Sequence, residues 1–564
     1  MKNHLLFLAA LFLSLFFSNP GFGQFEWSAS AQLDVNNVNA EVRIGDLWFN
    51  DNEGRYVVPK DDPNQITSIF AGGLWMGGID QGGNLKVSAS TYGGAVAPSF
   101  WAGPLNPATG ITDPATVQNW DLMFEITSLE LAYHLQDYND NENIDGPVPS
   151  NILGWPGRGN PEFFDVHGFN LPNQDLAPFW DRDGDGNYEP MQGDFPLMKG
   201  EKAIWWVFND AADVNPIGAT SIQIEVQAMA FAYSSSEDYL NNTTFYDFKL
   251  INRATESIDS FATALWIDPD LGCFQDDYIG CSPDDQMAYV YNSDDFDEDC
   301  LVPGYGENIP VLGIRVLKGL EDEFGNGPGM SSFMYYVNAG FPSSDPGQTD
   351  PNIGPEVYNY LNATWRDGTP LSQGGTGYDP GNNLPPYNYA YDGSPLIDSL
   401  NINWTECDLG DEPGDRRMVI TSGTVNMNPG DARYLSYAVM WSQNVNYPCP
   451  DLTSFFQESQ QVQDFYDTIG DGLYSDTEEQ LAELTFVEVY PNPATDHISI
   501  KLLDPDKRIN RVEIFNAAGQ QILIEAGLHR EQIEISTANL VSGAYYYRLI
   551  TDKGFVRSGK LIIQ

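Results

Sequence analysis

Apolar residues along this chain occur in short runs of strand length, separated by turns rich in glycine, proline, asparagine and aspartate. Such runs predict β-strands. Helical spacing of apolar residues is persuasive only over residues 451–467. The pattern therefore predicts a mainly β protein, with a multi-domain, β-sandwich-like body that has long loops. The clearest predicted strands are 202–208, 221–233, 245–252, 260–267 and 434–441.

The N-terminus has the three parts of a secretory signal peptide. Lys2 precedes an apolar run over residues 5–17, and Gly21 and Gly23 place small residues before a cut at Gln24. The run is short for a membrane span, and no later segment is long and apolar enough to be one. We therefore predict a signal peptide over residues 1–23 and a mature chain without a transmembrane segment.

Charge divides the rest of the chain. The net charge of the whole protein is −54, which excludes a nucleic-acid binder that works by neutralising phosphates. Residues 486–564 hold equal numbers of acidic and basic residues, so the body is acidic and the C-terminal part is neutral. We predict a β-rich region over 24–240, a β-sandwich-like region with a long insertion over 241–469, a linker over 470–485 and a separate C-terminal domain over 486–564.

Three C-terminal segments, YPNPATDHISI (490–500), VEIFNAAGQ (512–520) and SGAYYYRLITDKGFVRSGKLIIQ (542–564), resemble the type A sorting domain of the type IX secretion system. The resemblance implies an Ig-like β-sandwich that the outer-membrane translocon recognises. It also implies a sortase-like peptidase that cuts in the linker and attaches the cargo to surface lipopolysaccharide. An ordinary terminal Ig-like adhesion module is the alternative.

Parts of the body are similar to large type IX cargo proteins that have no assigned activity. The similar segments are SIFAGGLWMGGID (68–80), LAPFWDRDGDGNY (176–188) and TALWIDPDLG (263–272).

The best candidate for ligand chemistry is the acidic loop that starts at Asp181. Asp181, Asp183 and Asp185 occupy positions one, three and five of a calcium-type loop, and Gly186 at position six permits a sharp turn. Asn187 can offer its carbonyl oxygen. Gln192 stands where such loops have a glutamate, so Asp194 is the candidate that closes the shell. The loop predicts a structural calcium site; a solvated acidic turn is the alternative.

A second acidic cluster, from Asp268 and Asp270 to Asp276 and Asp277, follows an apolar strand. It is open to three interpretations: surface charge, another cation site, or a pair of catalytic carboxylates for glycoside hydrolysis. The denser acidic run over 294–299 is typical of a solvated face.

Other catalytic chemistry has little support in the sequence. His134 and His167 are the only histidines outside the predicted signal peptide and the C-terminal domain, which disfavours Ser-His or Cys-His nucleophilic catalysis. The aromatic-rich loops can offer platforms for sugars, but large β-domains more often bury tryptophan in their cores.

The five cysteines permit at most two disulfides and one free thiol. Proximity in sequence makes Cys273–Cys281 and Cys407–Cys449 plausible pairs. Taken together, the sequence favours a secreted, surface-attached, non-enzymatic protein that calcium stabilises and that acts in adhesion, matrix or glycan contact. A secreted glycan hydrolase that uses paired carboxylates is the alternative.

Overall fold

A computed structural model describes residues 28–45, 47–48, 56–92, 100–211, 219–235, 237–338, 340, 345–396, 403–468, 487–491, 494–502, 508–516, 521–538, 540–551 and 556–563. The predicted signal peptide (1–23) and the predicted linker (470–485) lie outside these residues. Among the helices described, none is long and apolar enough to cross a membrane.

Strands account for most of the regular structure, as predicted. In the body they are β1 (Ser30–Leu33), β2 (Asn39–Arg43), β3 (Tyr56–Val57), β4 (Ala71–Asp80), β5 (Leu85–Ala89), β6 (Trp101–Ala102), β7 (Phe124–Thr127), β8 (Phe179–Trp180), β9 (Phe195–Pro196), β10 (Lys202–Asn209), β11 (Ile224–Ala232), β12 (Thr243–Asn252), β13 (Ile258–Asp268), β14 (Asp277–Ser282), β15 (Met287–Asn292), β16 (Val311–Glu321), β17 (Ser332–Val337), β18 (Arg416–Met427) and β19 (Ala432–Ser442). In the C-terminal part they are β20 (Val487–Tyr490), β21 (His497–Leu502), β22 (Ile509–Asn516), β23 (Gln521–Arg530), β24 (Gln532–Ser536), β25 (Gly543–Thr551) and β26 (Val556–Ile563).

The helices described are α1 (Pro114–Asn119), α2 (Ser128–Asn141), α3 (Ser150–Leu153), α4 (Phe163–His167), α5 (Asp238–Asn241), α6 (Gly354–Leu361), α7 (Glu406–Leu409) and α8 (Thr453–Thr468). All are short except α2, with 14 residues, and α8, with 16. Single 3₁₀ turns occur at Pro190–Gln192 and Pro346–Gln348.

Two antiparallel sheets organise the body. The larger runs in the order β14-β15-β16-β19-β12-β11-β10-β6, with β7 also paired to β10, and the smaller runs β17-β18-β13-β4-β5. One hydrophobic core draws buried residues from both sheets. The predicted boundary between residues 240 and 241 falls in helix α5, which connects β11 to β12, its paired neighbour in the larger sheet.

Aromatic residues and glycines shape the smaller sheet. Trp75 on β4 stacks on Trp266 of β13, with ring centroids 6.0 Å apart. A Cβ on Gly72 would lie 2.5 Å from the Trp48 ring, and one on Gly77 would lie 2.6 Å from the ring of Tyr358 on α6. The glycines of β4 therefore let a buried indole and a helix approach the strand closely.

The predicted helix over 451–467 is confirmed as α8. Its buried side chains include Phe455, Val462 and Tyr466, which follow helical spacing. The Tyr466 hydroxyl donates to Asp247 at 2.7 Å, which ties the helix to β12.

Helix α2 was not predicted, because its apolar pattern is weak. Only Leu131, Ala132 and His134 among its residues are buried. A capping box starts it instead: Thr127 accepts from the backbone of Glu130, and the Glu130 carboxylate accepts from the backbone of Thr127. The local signal for this helix is thus in its cap rather than in its periodicity.

The disulfides correct one of the two predicted pairs. Cys407–Cys449 is confirmed, but Cys273 bonds to Cys300 rather than to Cys281. Cys281 is the free thiol, and it lies buried within β14, where its Sγ donates to the carbonyl of Ala390. The partner of Cys273 is Cys300, which lies in the loop that follows β15.

The C-terminal part forms two sheets of its own, β20-β21-β24 and β23-β22-β25-β26. Its strands alternate buried and exposed residues, as in Gln532–Ser536. Side chains such as Ile500, Val512 and Leu549 form a hydrophobic core separate from that of the body. This arrangement agrees with the predicted C-terminal β-sandwich.

Candidate functional site

The predicted calcium loop gathers its three aspartates. Asp181, Asp183 and Asp185 each offer a carboxylate oxygen, and these oxygens all lie within 4.8 Å of one another. Asp183 and Asp185 are exposed, and Asp181 is half-buried. Three carboxylates this close repel one another unless a cation or the backbone offsets their charge.

Backbone amides offset part of that charge. The two oxygens of Asp181 accept from Gly184 and Gly186, both at 2.7 Å, and Asp185 accepts from the amide of Asn187 at 2.7 Å. Gly186 has a φ of +84°, in the left-handed region, which confirms the turn predicted there. The loop is therefore ordered by its own hydrogen bonds in a shape that brings the carboxylates together.

Asp194 lies outside the group of three. It is only 3% exposed, and its two oxygens accept from the backbone of Arg182 at 2.9 Å and of Glu189 at 2.8 Å. Burial raises the pKa of Asp194, and the negative charges of Asp181 and Asp183 raise it further. Asp194 thus holds the two ends of the loop together; its role as a ligand stays a prediction.

Asn187 directs its side chain at Asp185, to which its amide nitrogen donates at 3.0 Å. Its predicted use as a ligand depends on its backbone carbonyl, and that role also stays a prediction.

A second group of carboxylates forms at the end of β13. Asp268, Asp270 and Asp415 each offer an oxygen within 4.8 Å of the others. Asp268 is 2% exposed, and burial raises its pKa to about 7, against the opposing effect of Arg417. The Arg417 guanidinium lies 3.4 Å from Asp268 and 2.7 Å from Asp415. The predicted cluster therefore divides: Asp268 and Asp270 converge with Asp415, whereas Asp276 and Asp277 are outside this group, and Asp277 accepts instead from the backbone amide of Leu271 at 3.1 Å.

Sequence reasoning missed Asp415 and Arg417. They follow Asp268 by well over a hundred residues, and the pairing of Ile267 with Met418 brings them together. No local pattern marks that pairing, because the partner strand of β13 is fixed by tertiary packing rather than by proximity in sequence.

The acidic run over 294–299 is not wholly solvated, contrary to expectation. Asp294 and Asp295 are exposed, but Asp297 is 1% exposed. Its oxygens accept from the backbone of Cys273 at 3.0 Å and of Tyr305 at 2.6 Å. Asp297 therefore acts as an internal clamp for two loops.

Tryptophans near glycine and proline lie mainly in the core. Trp101, Trp120 and Trp155 are at most 9% exposed. Trp120 packs against Phe163 with ring centroids 6.1 Å apart. These indoles stabilise the body and do not form an exposed platform for sugars.

Two comparisons with known proteins are uninformative about the body. No curated protein matches the chain. A solved polysaccharide lyase is 8% identical over 60% of this chain and 34% of its own, with a TM-score of 0.16. The dimeric latent PorU of Porphyromonas gingivalis is 11% identical over 64% of this chain and 31% of its own, with a TM-score of 0.11. The chain spans about a third of both structures, and similarity this low supports no argument about function.

The C-terminal domain gives a clear result. Residues 488–564 match the family described as the secretion system C-terminal sorting domain. The match coincides with the two-sheet domain formed by β20 to β26. This domain directs a protein to the type IX secretion machinery and thereby to the outer cell surface or beyond. The chain is therefore a cargo protein of the type IX secretion system with a C-terminal sorting domain.

Proposed function

We propose that this cargo is a non-enzymatic, calcium-stabilised protein that acts at the outer cell surface in adhesion, matrix or glycan contact. One observation carries the proposal: the exposed loop brings the carboxylates of Asp181, Asp183 and Asp185 within 4.8 Å of one another. Hard cations such as calcium prefer such oxygen ligands. Asn187 and Asp194 complete the proposed ligand set. The cation would be structural, because it would hold the loop in one conformation and offset the repulsion among the acidic side chains of the body.

The proposed route of attachment follows from the sorting domain. After the translocon has moved the chain across the outer membrane, a sortase-like peptidase would cut in the linker over 470–485. The released body would then be attached to surface lipopolysaccharide or remain in contact with other glycans.

The second group of carboxylates favours a second candidate function, a glycan hydrolase. A carboxyl group with a pKa of about 7 beside another carboxylate is a suitable general acid, and Asp268 has that property. Its oxygen lies within 4.8 Å of one from Asp270, close to the separation of about 5–5.5 Å that retaining glycosidases use. Against this candidate, Asp268 is almost fully buried and pairs with Arg417.

One experiment separates the two candidates. The full chain is incubated with insoluble polysaccharides and with lipopolysaccharide-coated beads, in calcium or in a chelator. Both the retained protein and new reducing ends are measured. Three variants are compared: the loop variant Asp183→Asn/Asp185→Asn, Asp268→Asn, and the control variant Asp284→Asn/Glu307→Gln, which removes the same charge at two exposed residues.

We expect retention that requires calcium, that is lost in the loop variant and that is kept in the control variant, without new reducing ends. Reducing ends that appear with the unaltered chain and disappear with Asp268→Asn would favour the hydrolase instead. Retention that is equal with calcium and with chelator would contradict the proposed role of the loop.

A further inference from the structure

The insertion between β17 and β18 places two half-buried tyrosines side by side. The ring centroids of Tyr387 and Tyr389 lie 6.4 Å apart, and the two rings are nearly perpendicular. The indole of Trp404 packs against Tyr387 with centroids 6.0 Å apart and is itself 7% exposed. Tyr387 therefore lies on a buried indole, and both members of this tyrosine pair keep part of their surface in solvent.

Backbone hydrogen bonds hold the tyrosine pair against a sheet edge. The amide of Phe333, on the edge strand β17, donates to the carbonyl of Asn388 at 2.9 Å, and the amide of Ala390 donates to the carbonyl of Phe333 at 3.0 Å. The amide of Tyr387 donates to the carbonyl of Leu371 at 2.8 Å. A binding surface on such a fixed element loses little conformational entropy when a ligand binds.

The phenol hydroxyls of the tyrosine pair are used inside the protein. The hydroxyl of Tyr387 donates to the carboxylate of Asp392, and that of Tyr389 donates to the carbonyl of Met330 at 2.9 Å. These bonds fix the orientation of both rings. A ligand at the tyrosine pair would therefore contact aromatic carbon atoms rather than hydroxyl protons.

The segment that carries the tyrosine pair has the composition of a recognition surface. Residues 371–394 include four tyrosines, five glycines and three asparagines. Tyrosine supplies rigid contact area at a low cost in side-chain entropy, and asparagine and glycine supply adaptable hydrogen bonding. Asn388, between the two tyrosines, is exposed.

Charge narrows the chemistry of the ligand. Residues 371–394 contain neither lysine nor arginine, and the chain carries a net charge of −54. Phosphates, anionic lipids and nucleic acids are bound through basic side chains, so this surface does not suit them. An uncharged sugar suits it, because the C–H face of a sugar ring packs on an aromatic ring while the sugar hydroxyls reach amides and carbonyls.

We propose that the tyrosine pair is a contact site for an uncharged polysaccharide, which gives the proposed function in glycan contact its surface and rests on that function. Sugar rings stack on Tyr387 and Tyr389, and the exposed side chain of Asn388 forms hydrogen bonds with the sugar hydroxyls. Because stacking supplies the affinity, removal of the aromatic rings should weaken binding, and removal of the phenol hydroxyls alone should not.

The test is a depletion assay of the full chain with insoluble cellulose, mannan and starch, all in calcium. The pair variant Tyr387→Ala/Tyr389→Ala is compared with Tyr387→Phe/Tyr389→Phe and with Tyr133→Ala, a control that removes a tyrosine 49% exposed on helix α2. On a polysaccharide that retains the unaltered chain, we expect the pair variant to bind at least about tenfold more weakly. The phenylalanine variant and the control should bind as the unaltered chain does.

Two results would overturn the proposed site. One is a pair variant that binds as tightly as the unaltered chain. The other is an unaltered chain that none of the three polysaccharides retains. Failure of the proposed function is a different result, namely retention on polysaccharides and lipopolysaccharide-coated beads that is equal with calcium and with chelator.

If the pair variant unfolds, hydroxyl-radical footprinting of the unaltered chain decides the question. Mass spectrometry compares the oxidation of Tyr387 and Tyr389 with that of Tyr133, with and without the polysaccharide that retains the chain. Protection of the tyrosine pair beyond that of Tyr133 supports the site, and protection that is no greater refutes it.

Discussion

Replacement of Asp183 and Asp185 by asparagine should change the stability of the protein in opposite directions without and with calcium, because it removes both the repulsion between the carboxylates and the proposed ligands of the cation. Unit charges 4.8 Å apart repel by about 0.9 kcal/mol in water, so the three pairs of carboxylates amount to about 2.6 kcal/mol before salt screening. Screening at physiological ionic strength reduces this to about 1–2 kcal/mol. Without calcium, the loop variant should therefore be as stable as the unaltered chain or more stable.

Calcium should reverse that order. A site with a dissociation constant of about 0.1 mM, in the range of extracellular modules, adds about 2.7 kcal/mol at a hundredfold excess of ligand. For a body of roughly 440 residues, this corresponds to a rise in Tm of about 3 °C. The loop variant should lose this rise in Tm, because the two carboxylates that it removes are also proposed ligands of the cation.

The assay is differential scanning calorimetry of the full chain in chelator and in about 10 mM calcium. The control variant Asp284→Asn/Glu307→Gln carries the same change in net charge on exposed residues, so it separates local from global electrostatics. A loop variant whose Tm rises with calcium as much as that of the control variant would refute the assignment of the loop as a cation site.

Three further predictions follow from buried groups of the body. Arg416→Met should destabilise the protein by about 3–5 kcal/mol in denaturant unfolding, because the fully buried carboxylate of Glu406, which the Arg416 guanidinium contacts at 2.7 Å, would be left without its partner. Adding Glu406→Gln should restore part of the lost stability. Burial raises the pKa of Asp268 to about 7, so the native state keeps a proton that the unfolded chain loses above about pH 4. The free energy of unfolding should therefore fall between pH 4 and 7, and it should fall less in Asp268→Asn. Equal pH profiles of the two proteins would contradict this prediction. Cys281 is buried, and burial raises the pKa of its thiol, so a thiol reagent should find no reactive cysteine in the native chain and one after unfolding without reductant. A fast reaction in the native chain would contradict the burial of Cys281, and more than one thiol after unfolding would contradict the two disulfides.

Sequence pattern predicted those parts of the fold that local physics determines. Strands such as β10 and β12, and helix α8, have strong apolar periodicity of their own, and each lies within a few residues of its expected position. Helix α2 was missed because its cap, rather than an apolar face, marks it. The type of signal that each element carries therefore decided whether the sequence could predict it.

The candidate sites show the same limit. The Asp181 loop is local, since its carboxylates are two residues apart, and its convergence could be predicted. Asp415 and Arg417 reach Asp268 only through strand pairing, and Asp297 contacts the backbone of Cys273 across a loop that is closed by a disulfide whose pairing the sequence leaves open. Residues distant in sequence meet because the sheet and the core bring them together, and no spacing rule encodes that.

Cell fractionation of a strain that produces the chain without residues 486–564 tests the central claim most directly. Because these residues hold the sorting domain, whose core is separate from that of the body, the truncated protein should fold. We predict that it accumulates in the periplasm, whereas the full chain reaches the outer cell surface or the medium. Unchanged surface display of the truncated protein would contradict the assignment of this chain as a type IX cargo.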